Sequence, residues 1–123
     1  MVKLIRAVVV ASICFAGTLA HAAGVDGTWT ASFDTQVGKQ TYTYTLKADG
    51  ATLTGTAKGN LITDSTLSDG KVDGNKITFV EKGSYMGMPL TFNYSGEIVG
   101  DEIKLKRELM GFPAEEFVAK RAQ

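Results

Sequence analysis

Beyond Ala22 this sequence has no cysteine and no histidine: the one copy of each, Cys14 and His21, falls in the opening 22 residues. Disulfides, thiolate or imidazole metal sites and every nucleophile–histidine triad are therefore excluded from the rest of the chain. Proline is scarce too, with Pro89 and Pro113 the only two. An excess of either charge is also lacking. All 13 acidic residues lie beyond residue 22, against 11 basic ones once Lys3 and Arg6 are set aside, so the net charge there is about −2. Such a balance argues against nucleic acid and anionic membrane surfaces as partners.

What the opening residues do contain is an export signal. Lys3 and Arg6 form a basic start, Ala7 to Leu19 carry no charge, and Ala20-His21-Ala22 gives the small-x-small pattern of a cleavage site. An apolar run of about 13 residues rises only ~20 Å as a helix, too short for a ~30 Å hydrocarbon core. Cys14 follows Ile13, which is not the small residue a lipid-attachment site wants, so it belongs to the apolar run. Residues 1–22 are thus expected to be a signal-peptide helix that is cleaved. Residues 23–123 are expected to form one domain that is periplasmic or secreted, with no membrane span after cleavage.

In that domain the hydrophobic pattern has period two, the signature of half-buried strands. Trp29, Ala31 and Phe33 alternate with Thr28, Thr30 and Ser32, and Tyr42, Tyr44 and Leu46 alternate with Thr41, Thr43 and Thr45. The same alternation recurs around Leu53, Ile77, Phe92, Ile103 and Phe117. Asp49-Gly50, Asp69-Gly70, Asp73-Gly74-Asn75 and Gly100-Asp101 supply the left-handed residues that tight hairpins use. The pattern predicts an all-β domain of about eight antiparallel strands, at 27–34, 40–48, 51–59, 65–72, 75–82, 90–99, 102–109 and 115–121. Consecutive strands pair as an up-and-down meander. Closing such a sheet removes its edges, so a closed or nearly closed barrel is favoured, with a sandwich as the alternative.

Gly27-Thr28-Trp29 on the first strand resembles the G-x-W start of the calycins, the group of lipocalins and avidins. That resemblance implies that Trp29 closes the base of the barrel and that a basic residue of the last strand, here Arg121, packs across it. Thr52-Leu53-Thr54-Gly55-Thr56 resembles an avidin strand, but the biotin-binding tryptophans have no counterparts. The phrases beginning at Gly27, Asp49, Gly70, Ser95 and Glu116 also resemble a family of small exported bacterial domains whose function is uncharacterised; these are turn and core residues and imply the fold alone.

Three groups of residues are candidates for chemistry. Glu81 and Arg107 continue the inward faces of their strands, where an unpaired charge is costly. Contact with solvent at the strand ends is the expected solution, and an interior Glu81–Arg107 pair the alternative. With no second interior acid, no catalytic residue is expected and the protein is read as not an enzyme. Met86, Met88 and Met110 lie in two Gly- and Pro-containing connections expected at the same end of the barrel. Three thioethers could hold Cu(I), but with no histidine to join them the leading expectations are packing or ligand contact. Tyr44 and Tyr94 point into an interior that side chains should mostly fill, leaving a shallow pocket at the methionine end. The expectation is a non-enzymatic binding module for a small apolar molecule or a protein, without cofactor. Its contact residues would be Tyr44, Tyr94, Met86, Met88 and Met110, with Trp29, Arg121, Glu81 and Arg107 structural. A cavity-free envelope-interaction protein is the alternative, and a periplasmic Cu(I)-binding protein is the weaker one.

Overall fold

The alternating segments are all strands in the computed structural model, which describes residues 24–122. The expected signal peptide, with Cys14 and His21, lies outside those residues. Eight strands follow one another: β1 (Gly27–Thr35), β2 (Gly38–Asp49), β3 (Thr52–Gly59), β4 (Thr63–Asp73), β5 (Lys76–Tyr85), β6 (Met88–Val99), β7 (Glu102–Glu108) and β8 (Glu115–Arg121). Each pairs antiparallel with the next, and β8 returns to β1 to close a barrel. Because side chains alternate across a strand, one set of residues from every strand but β4 is sealed inside. Trp29, Tyr44, Leu46, Leu53, Ile77, Phe79, Tyr94, Ile103, Leu105 and Ala119 are all buried, while the threonine rows face water.

The two ends of the barrel differ. The base carries the Asp49-Gly50, Asp73-Gly74-Asn75 and Gly100-Asp101 connections and is shut by a clasp. The Arg121 guanidinium lies 4.3 Å from the Trp29 ring centroid. It also donates to the carbonyls of Asp26 at 2.8 Å and Gly24 at 2.9 Å. The Trp29 indole N–H donates to the Val25 carbonyl at 2.9 Å, which satisfies the one polar atom of a wholly buried ring. Above the clasp, aromatic rings fill the interior. Phe79 stacks on Tyr94 at 4.4 Å, Tyr42 on Tyr44 at 5.1 Å, and Phe33 on Phe117 at 3.8 Å. The opposite end is the mouth, formed by the connections after β1, β3, β5 and β7.

Two details depart from expectation. Asp69-Gly70 is not a turn but lies within β4, where the pairing with β5 slips between Ser68 and Lys71. Asp69 takes φ 54° there, so the left-handed residue bends a strand instead of reversing it. Met88 and Pro89, expected in a loop, open β6 instead. The connection is only Met86-Gly87, with φ 50° and 83°, the two left-handed residues of a tight hairpin turn between the paired Tyr85 and Met88. β5 and β6 therefore run further toward the mouth than the sequence pattern indicates.

Candidate functional site

The extended strands wall a cleft of about 610 Å³ at the mouth. Its sides are apolar, with Val37, Ile62, Leu90, Leu109 and Phe112 among them, and Met88 and Tyr85 stand at its rim. Phe92, Gln40, Arg107 and Glu115 also line it. Each comes from strand alternation: Gln40 precedes Tyr42 and Tyr44 on the inward face of β2, Arg107 follows Ile103 and Leu105 on β7, and Glu115 precedes Phe117 and Ala119 on β8.

Arg107 is 2% exposed, and its charge is held by neighbours on every side. Its Nε donates to Glu115 Oε1 at 2.7 Å, and its Nη2 makes an ion pair with the same oxygen. Nη2 also donates to Gln40 Oε1 at 3.3 Å, and Nη1 donates to the Tyr42 hydroxyl at 3.3 Å. The guanidinium plane lies over the Phe92 ring at 4.3 Å and near Phe33 at 5.0 Å. Aromatic faces and a carboxylate together are the setting in which a buried guanidinium is tolerated.

Deeper still, Glu81 is wholly buried and collects three hydroxyls. Tyr42 donates to Oε2 at 2.9 Å, Ser65 donates to the same oxygen, and Tyr94 donates to Oε1 at 2.7 Å. The Tyr94 hydroxyl lies 3.0 Å from that of Tyr44; with the Tyr94 proton committed to Glu81, Tyr44 is the donor. Three donors on two oxygens are the shell an acceptor-only carboxylate needs. Burial, the largest cause in each case, pushes the Tyr42, Tyr44 and Tyr94 phenols up from their ordinary value, and the Glu81 charge raises each further. All three therefore stay neutral donors.

The expectation that Glu81 and Arg107 meet solvent at strand ends is overturned. β5 continues to Tyr85, so Glu81 sits inside the strand, and both residues are buried. The alternative of a direct pair does not hold either, since the Tyr42 hydroxyl stands between them and Arg107 takes Glu115 as its carboxylate. Of the five expected contact residues, Met88 lines the cleft. Tyr44 and Tyr94 lie below it, tied into the Glu81 cluster. Met86 is 86% exposed at the hairpin tip and Met110 is 95% exposed, and neither lines the cleft. Gln40 and Glu115 were not singled out from sequence although their inward phase was readable. Ser65 had no such signal, because the slips in β4 erase the alternation that would place it.

Comparison of the chain with protein-family models, curated proteins and solved structures returns no match. What defines this molecule is thus its own geometry: an eight-stranded antiparallel barrel, shut at one end and cleft at the other.

Proposed function

We propose that the protein is an exported, non-enzymatic binding barrel of calycin type, which takes a small, mostly apolar molecule into the mouth cleft. The observation that carries this reading is the cleft itself. Its volume of about 610 Å³ lies within the range of small-molecule sites, and its make-up of apolar walls with a few polar groups is theirs as well. Trp29 beneath Arg121 at the closed base supports the calycin affinity, and the basic start, apolar run and small-x-small pattern in the sequence of residues 1–22 support export. The non-enzymatic reading is supported by Glu81, whose carboxylate is sealed below the cleft with its oxygens already occupied.

The test is a titration with N-phenyl-1-naphthylamine, an uncharged dye that brightens in apolar surroundings. One dye per barrel is expected, and the Leu90→Ser/Phe112→Ser double variant should bind it about tenfold more weakly, a loss in keeping with the apolar area removed. Absence of brightening in the folded wild-type protein would sink the ligand reading and direct attention to a protein partner.

A further inference from the structure

We infer that the cleft selects uncharged amphiphiles, an apolar body bearing a hydroxyl or carbonyl head, and rejects charged heads of either sign. This rests on the reading of the cleft as a ligand site and specifies what it takes. The argument comes from the Arg107–Glu115 pair. A guanidinium has five N–H donors. Four of those on Arg107 are engaged, two by Glu115 and one each by Gln40 and Tyr42.

A carboxylate head would have to dislodge Glu115 to gain a two-pronged grip on Arg107. It would then leave two negative groups facing one cation. An ammonium head could pair with Glu115 only by drawing it off Arg107, which is 2% exposed and would be left buried without its counter-charge. A hydroxyl or carbonyl needs neither exchange. Its oxygen can accept from the second N–H of Gln40 Nε2, whose first goes to the Thr35 hydroxyl, and a hydroxyl can donate to Glu115 Oε2, which has no partner among the described residues. Glu115 is then a specificity residue: it neutralises the cleft against ions while leaving one donor and one acceptor for a neutral head.

The test displaces the dye from wild-type protein with decanol, decanoate and decylamine at pH 7, molecules matched in chain and differing in head. Decanol is expected to compete at least about tenfold more tightly than either ion, as follows when an ionic head must break a buried pair to enter. Tighter displacement by decanoate or decylamine overturns the inference while leaving the cleft as a ligand site. Failure of the dye to bind at all removes that underlying reading instead. In Glu115→Gln, with near-UV circular dichroism verifying the fold, decanoate should gain about tenfold or more relative to decanol, because the amide no longer repels an anion or holds Arg107 as an ion pair. An unchanged decanoate affinity in a folded variant overturns the role given to Glu115.

Discussion

Glu81 shows how a single buried charge organises its surroundings. Its two oxygens accept from Tyr42, Ser65 and Tyr94, which come from β2, β4 and β6, so one carboxylate on β5 ties its two flanking strands to β2 across the interior. Removing it leaves three inward hydroxyls without their acceptor, and each stranded donor costs about 1–3 kcal/mol. Glu81→Leu is therefore expected to lower unfolding stability by at least about 3 kcal/mol, read as a fall in the urea midpoint at unchanged slope. Glu81→Gln keeps one accepting oxygen and is expected to fall between the two. A midpoint unchanged in the leucine variant would mean that the hydroxyls find other acceptors and that the cluster is incidental.

Among the elements, β4 is the one that breaks the rules of the others. It contributes no fully buried residue and slips twice against β5, and its pairing with β3, at Thr52–Lys71 and Leu53–Gly70, is as short as the one that joins β8 to β1. Gly70 is what allows that short bridge: a Cβ there would collide with the Leu53 carbonyl oxygen. Gly70→Ala should cost about 2 kcal/mol, an overpacking-type loss, and raise amide exchange in β3 and β4 ahead of the other strands. Uniform exchange across the barrel would contradict this picture of a weak seam. The same strand marks the limit of what the sequence discloses. Strands with strict alternation, such as β2 and β7, can be read residue by residue, and the inward phases of Tyr42, Phe79, Leu105 and Phe117 follow from it. In β4 the left-handed Asp64 and Asp69 reset the phase, so Ser65 and its bond to Glu81 are invisible until the fold is known. The partner of Arg107 was hidden for another reason. Which inward charges meet depends on shear around the whole barrel, and that brings Glu115 of β8 and Tyr42 of β2 to a residue of β7.

For the molecule as a whole, the three raised phenols link folding to alkaline pH. In the unfolded chain Tyr42, Tyr44 and Tyr94 release their protons near the ordinary value of 10.0, while in the barrel they retain them. The unfolded state thus binds fewer protons above that pH. The contribution of these groups is complete below about pH 10 and is then lost by up to about 4 kcal/mol per pH unit for three groups. The part of the tyrosinate absorbance at 295 nm that belongs to these three residues should rise in one cooperative step together with loss of near-UV circular dichroism. Smooth ionisation of these residues in a barrel that keeps its dichroism would argue against a sealed interior. The clasp at the base carries a different consequence. Arg121 reaches the Gly24 carbonyl across 97 positions, and it covers an indole that belongs to the first strand. In a meander each added strand extends an open sheet and leaves it with two bare edges. Only the arrival of β8 turns that sheet into a ring. Floor and wall are therefore completed by the same event, and a chain that stops before β8 has not a smaller barrel but an open sheet, with Trp29 left uncapped.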